Sequence, residues 1–196
     1  MRTMAIRTEI AEESVDVLPE YGRIPISFVV RSVFDVELLA GGLAGITLSE
    51  REVTPHYVKD YDSLRGEGPT RWAKQWNISN WGVISAFGNK ARLGGCVIAY
   101  DTPGVHKLEG RMDIAALWDI RVVPQHRGGG IGGFLVEAAV AWARRHNCRM
   151  LKAETQNINV PACRFYAKQG FILGAINRYA YSELPDEVEL IWCKEL

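Results

Sequence analysis

Five of the six residues from Gly128 to Gly133 are glycine, with Ile131 the exception. A glycine has no Cβ, so its backbone N–H can come close to a ligand and can take conformations closed to other residues. Behind the run, Ile131, Leu135, Ala138, Ala139 and Trp142 recur at helical offsets, which predicts a helix over 131–146. A helix N-terminus carries unpaired N–H groups and a partial positive charge. Glycine amides at that end suit a pyrophosphate. A plain flexible turn is the alternative, and it leaves so dense a glycine run unexplained.

Two nucleotide-binding patterns compete for this loop. Gly128, Gly130 and Gly133 satisfy G-x-G-x-x-G, and Glu154 follows 21 residues later, as in a dinucleotide site. Yet Pro124 to Arg127 separate the loop from its strand. The 63 residues after Gly133 are also too few for the rest of a six-stranded dinucleotide fold. A P-loop is excluded, because no Gly-Lys-Ser/Thr follows.

The same residues also read as Arg-x-x-Gly-x-Gly through Arg127, Gly130 and Gly132, after a strand closing on Val122-Val123-Pro124. Downstream comes Asn159-x-x-Ala162-x-x-x-Tyr166, then Gly170-Phe171. On these two motifs, residues 81–196 resemble the GCN5-related N-acetyltransferases (GNAT). The resemblance implies an α/β GNAT fold: a single twisted, mixed, mostly antiparallel sheet, flanked by helices and splayed near the Trp118 strand to admit acetyl-CoA. It implies direct acetyl transfer from acetyl-CoA to a primary amine, with no metal. It implies that Arg127 and the amides of Gly128, Gly129, Gly130, Ile131, Gly132 and Gly133 hold the CoA pyrophosphate. The strand near Ile120 and Val122 would pair with the pantetheine amides, and Asn159 would touch the pantetheine arm. Tyr166, at the cofactor, would protonate the departing thiolate. Glu154, twelve residues earlier, matches the base of N-terminal alanine acetyltransferases in the superfamily. More narrowly, ETQNINVPACRFYAKQGF (154–171) and TPHYVKDYD (54–62) resemble the streptothricin acetyltransferase branch, which acetylates an amine of an antibiotic's β-lysine moiety.

The reaction sets demands that these residues can be weighed against. An alkylamine has a pKa near ~10, so a base must take a proton before it attacks. Backbone N–H groups can polarise the thioester carbonyl. Tyr166 suits a general acid, against the alternative of a helix tyrosine packing on the core. Glu154 suits the base, against a carboxylate that fixes a loop. Asp119 is the rival base; many relatives carry an acid one residue earlier, where this chain has Trp118. Asn159 reads first as an N-cap. Cys163 lacks a sequence-adjacent base and reads as a small buried helix residue rather than a nucleophile. Trp72, Trp76 and Trp81 read as core packing or an acceptor pocket. His56, His106, His126 and His146 show no metal spacing.

The elements that must position these groups follow from pattern. Strands are expected over Ile26–Leu39, 81–87, 93–100, Asp113–Val123, Arg149–Thr155, Phe171–Tyr181 and Val188–Cys193. A short helix should open at Asn159, with Pro161 in its first turn, and stop at Gly170. Residues 46–70 show no clean period and read as strand, turn and loop. All 196 residues are expected to form one acetyltransferase domain, with 1–80 supplying an N-terminal part and acceptor-side loops, and 81–196 the cofactor-binding core. Lys+Arg and Asp+Glu both number 23, which gives no basic excess for nucleic acid or an anionic membrane. Scattered cysteines without a CxxC pair, and no long apolar segment, point to a cytoplasmic protein. The expected partner is a small-molecule amine, streptothricin-like in its acceptor group. A protein N-terminal amine and a non-catalytic acyl-CoA-binding role are the competing readings. Dimers are common in the superfamily, so the resemblance allows a homodimer.

Overall fold

The computed structural model describes residues 8–64 and 66–196. In chain order the strands are β1 (Glu9–Glu13), β2 (Phe28–Leu39), β3 (Gly45–Lys59), β4 (Gly82–Gly88), β5 (Ala91–Tyr100), β6 (Ile114–Val122), β7 (Met150–Gln156), β8 (Ile172–Asn177) and β9 (Glu189–Glu195). The helices are α1 (Leu18–Tyr21), α2 (Pro69–Gln75), α3 (Ile131–Arg145) and α4 (Val160–Lys168). Seven strands form one mixed sheet in the order β1-β4-β5-β6-β7-β9-β8. β2 and β3 pair separately as a two-stranded ribbon, an addition to the expected single sheet.

The chain divides into two compact units. The first comprises Met1–Ile26, Tyr61–Lys152 and Glu195–Leu196. Here β1, β4, β5 and β6 are successive antiparallel neighbours. β4 and β5 meet through the two-residue turn Asn89-Lys90, whose positive φ values of 50° and 65° suit a tight hairpin. One buried cluster joins Leu18, Tyr21, Trp72, Trp81, Val97 and Ile114, with Trp76 and Trp118 packed against it. The tryptophan rings are in mutual contact, Trp76 and Trp118 edge to face with centroids 5.0 Å apart and Trp76 and Trp81 stacked at 6.1 Å, and Trp72 and Trp81 are buried. The three clustered tryptophans of the sequence are therefore core-packing residues joined by a fourth. α3 buries the stripe Ile131, Leu135, Val136, Ala139, Trp142 and Ala143, close to the expected one.

The second unit comprises Ser27–Asp60 and Ala153–Lys194. Its ribbon runs from Phe28 opposite Lys59 to Leu39 opposite Gly45. A lone two-stranded ribbon is marginal in water. This one is tied down at its base. Val30 and Val33 pack with Ile158, Phe34 N–H donates to Asn157 O at 2.9 Å, and Lys59 Nζ lies 2.5 Å from Glu187 Oε1. Asn157 Nδ2 donates back to Phe34 O at 3.0 Å, and its Oδ1 accepts from Val188 N–H at 2.8 Å. The ribbon is thus anchored to the chain just after β7.

Four elements depart from expectation. β8 stops at Asn177, four residues short of the expected Tyr181, which lies instead in the loop to β9. β1 is a strand despite three glutamates in five residues, because pairing with β4 decides it. β3 runs unbroken for 15 residues where strand, turn and loop were expected. Nearly all its side chains are exposed or half-buried, so no burial period was available to read. α2 buries only Pro69 and Trp72, too little apolar spacing to announce a helix.

Candidate active site

In the first unit, β6 leads into the glycine loop. Val97 faces Asp119 and Ile98 faces Leu117, so Trp118 is the extra residue of a bulge. Ile120 stands opposite Cys96, and Val122 opposite Gly94. Beyond Pro124, Arg127 is turned back on the backbone: its Nε donates to Val122 O at 3.0 Å and its Nη2 to Pro25 O at 2.7 Å. That clamps the entry to the loop.

The loop itself has the backbone its sequence implied. Gly128 and Gly130 have φ of 77° and 89°, which residues with a Cβ rarely adopt. A Cβ built at either position meets nothing within 4 Å, so the space before them is open. Gly130 is the N-cap of α3 and supplies no side-chain cap. Gly129 N–H donates to His126 O, and the N–H groups of Gly133 and Phe134 to Gly130 O. The amides of Gly128, Gly130, Ile131 and Gly132 find no acceptor among the described residues. Four unpaired donors at a helix start are an arrangement suited to an anion.

Asp119 sits in a different setting. It is buried, and both oxygens are held by Arg121: Nε to Oδ1 at 2.8 Å, Nη2 to Oδ2 at 2.9 Å. Tyr21 also donates to Oδ1, and its ring packs so close to Gly95 that a Cβ there would come 2.9 Å from it. Arg121 holds Asp62 as well, through Nη1 at 2.5 Å and Nη2 at 2.8 Å, and donates to Ile24 O at 3.1 Å. Burial, then the charge of Asp119, push the Tyr21 phenol well above its ordinary range, so it remains a donor. The network locks a carboxylate in place; it leaves no oxygen of Asp119 unclaimed.

In the second unit, Glu154 lies on β7, half-buried. Its Oε1 accepts from Tyr181 Oη at 2.6 Å and from Gln156 Nε2 at 3.0 Å. Asn159 caps α4, its Oδ1 accepting from Ala162 N–H at 3.2 Å, while its Nδ2 has no partner among the described residues. Tyr166 is buried on α4, its ring edge-on to Phe165 at 5.2 Å and Phe171 at 5.3 Å. Gly170 ends the helix with φ 79°. Cys163 is buried, with Sγ 3.3 Å from Thr155 Oγ1. Burial pushes its thiol up to about 11, so at neutral pH it is no thiolate nucleophile. Among the described residues no group of three His, Cys, Asp or Glu side chains is placed to hold a metal. No helix there is long and apolar enough to cross a membrane.

Residues 51–171 match the model of the Acetyltransferase (GNAT) family. A streptothricin acetyltransferase of Escherichia coli is 32% identical over 172 residues, covering 84% of this chain and 83% of that protein. The chain belongs to the GNAT acetyltransferase family. It is an acetyl-CoA-dependent N-acetyltransferase. A streptothricin acetyltransferase of Streptomyces lavendulae is 27% identical over 163 residues, 83% of this chain and 80% of its own. A solved structure from Bacillus anthracis, assigned as a streptothricin acetyltransferase and in complex with acetyl coenzyme A, superposes with a TM-score of 0.74 at 26% identity. It covers 98% of this chain and 99% of that one.

Within this GNAT chain, sequence reasoning missed two residues around Glu154. Gln156 carried a signal, since residues two apart on a strand share a face. Tyr181 carried none: it stands 27 residues from Glu154, in the β8–β9 loop, and only folding brings it there.

Proposed function

We propose that this enzyme transfers the acetyl group of acetyl-CoA to a primary amine of a streptothricin-like small molecule. The observation that carries the reading is the set of unpaired amides at Gly128, Gly130, Ile131 and Gly132. They fit the pyrophosphate of CoA, with Gly129 and Gly133 completing the loop and Arg127 holding it in shape. Ile120 and Val122 offer their backbone, and Asn159 its Nδ2, to the pantetheine arm. The acceptor is inferred from the relatives, two of which are named streptothricin acetyltransferases and align over more than four-fifths of this chain. Acetylation of streptothricin would make the enzyme an antibiotic-resistance determinant.

Acetyl-CoA supplies the thioester whose carbonyl carbon receives the amine. Glu154 takes the proton that keeps the amine from attacking. The nitrogen lone pair forms the C–N bond, the C–S bond breaks, and Tyr166 gives its proton to the leaving sulfur. The second proton of the acetylated nitrogen leaves to solvent, and solvent returns one to the Tyr166 phenolate. Asp119 takes no part in this reading, because Arg121 and Tyr21 already claim its oxygens.

The test is thiol release with acetyl-CoA against streptothricin, other amines and N-terminal peptides, with product masses. Acetylated streptothricin is the expected product. Faster turnover of peptides would make it a protein N-terminal acetyltransferase. Loss of acetyl-CoA without an enzyme-dependent product would make it an acyl-CoA-binding module.

Two substitutions probe the assignments. Gly130→Asp places a carboxylate at the N-cap of α3, where it repels phosphate and competes for the same amides. Acetyl-CoA should bind at least about tenfold more weakly, roughly 1.4 kcal/mol. Unchanged calorimetric affinity in a folded variant would move the pyrophosphate elsewhere. Glu154→Gln keeps the shape and removes the basicity. A carboxylate is a weak base for an amine, so the expected loss in kcat/KM is about tenfold, below the roughly 10²-fold usual for a general base, and it shrinks at low pH, where the wild-type carboxyl is itself protonated. Asp119→Asn is the paired control; activity lost there and kept in Glu154→Gln would transfer the role to Asp119.

A further inference from the structure

Glu154, Gln156 and Tyr181 form a closed triangle of hydrogen bonds. Gln156 Nε2 lies 2.8 Å from Tyr181 Oη and 3.0 Å from Glu154 Oε1, and the two oxygens are 2.6 Å apart. Its direction is fixed by donor count. An amide nitrogen only donates, so both oxygens must accept from Gln156. Tyr181 Oη thereby accepts one bond, and its own proton has a single place in the triangle, on Glu154 Oε1. Two N–H or O–H donors then converge on one carboxylate oxygen. Donors to the charged form of a carboxyl favour that form, and bonds to a charged partner are about twice as strong as neutral ones.

We propose that Tyr181 is a positioning residue for Glu154: its phenol, aimed by Gln156, holds the carboxylate in one pose and keeps it charged between turnovers. The proposal rests on the reading of Glu154 as the base. Tyr181 is suited to the task because it does not itself titrate near neutrality. Burial, and then the negative charge of Glu154, push the phenol far up, and the carboxylate of Glu189 on β9 adds to this. The same loop that supplies Tyr181 returns the chain to β9 at Val188, where Asn157 pins it by two hydrogen bonds, Val188 N–H to Oδ1 at 2.8 Å and Asn157 N–H to Val188 O at 3.0 Å. Those two bonds fix the far end of the loop, and Leu184 N–H donates to Tyr181 O at 3.1 Å nearer the phenol. Removing a donor from the charged form makes protonation easier, so Glu154 titrates at higher pH and base function fails at higher pH.

The experiment is a 13C NMR titration of glutamate carboxyls in the intact protein, with Glu154 assigned from Glu154→Gln. In Tyr181→Phe the Glu154 midpoint should rise by about one pH unit, with thermal midpoint and acetyl-CoA affinity unchanged. Gln156→Met, which removes the second donor to Glu154 Oε1 and frees the phenol to turn away, should also raise it. An unchanged midpoint in folded Tyr181→Phe overturns the proposal. The kinetic arm uses acetyl-CoA and the amine that releases thiol fastest in the screen above. The acid limb of kcat/KM should follow the midpoint upward, and Tyr181→Phe should cost nothing further on a Glu154→Gln background. Multiplying losses in the double variant would show that Tyr181 acts on something other than Glu154, and overturn it. A midpoint that moves while the acid limb stays would keep Tyr181 as the residue that holds Glu154 and overturn the base assignment instead.

Discussion

Tyr166→Phe is expected to lower kcat on the order of 10²-fold while acetyl-CoA affinity stays within about twofold. The ring and the hydroxyl of Tyr166 have separate work. The ring is buried between Phe165 and Phe171, at 5.2 and 5.3 Å, and phenylalanine keeps those edge-on contacts. Phe171 N–H donates to the backbone oxygen of residue 166, which the substitution leaves alone. Only the proton donor is lost. A group that works on the leaving sulfur stabilises the transition state and not the bound thioester, so the loss belongs in kcat. Pre-steady-state thiol release, with calorimetric binding of acetyl-CoA, separates the two. Wild-type kcat in a folded variant would return Tyr166 to packing alone.

Arg121→Met is expected to destabilise the fold by about 3–5 kcal/mol, since it breaks a buried ion pair by removing one partner. For a chain of this size that corresponds to roughly 10 °C in thermal midpoint. Arg121 is 2% exposed and stands between two carboxylates, Asp119 and Asp62, with Ile24 O as a third acceptor. Methionine fills the stem's volume and leaves Asp119 buried, with Tyr21 as its remaining partner in that network. Asp119→Asn on the same background removes the uncompensated charge and should recover part of the loss. A thermal midpoint lowered by less than about 3 °C, under one kcal/mol on the same scale, would mean that the network contributes little to stability. The same geometry explains why Asp119 is a poor candidate for a base: a carboxylate oxygen already accepting from a guanidinium has little reason to accept from an ammonium.

What the sequence determines and what the tertiary fold decides divide along a physical line. Local features were legible. The glycine loop, the N-terminus of α3 at Ile131, the Asn159 cap and the Gly170 stop all depend on backbone freedom or on bonds spanning a few residues. A residue type at such a position carries its own reason, so one sequence suffices to read it. The motif pair that placed the chain in the GNAT family is built from the same local features. Other parts depended on partners far along the chain. β1 and the full length of β3 exist through pairing, and their own residues gave no period. Asp119 looked as free as Glu154 until Tyr21, 98 residues away, and Arg121 with Asp62, 59 residues apart, were seen to close around it. Glu154 gained its phenol donor from a loop 27 residues on. A carboxylate's identity is written in the sequence, but its availability to take a proton is set by which donors surround it, and those donors are brought by the tertiary fold.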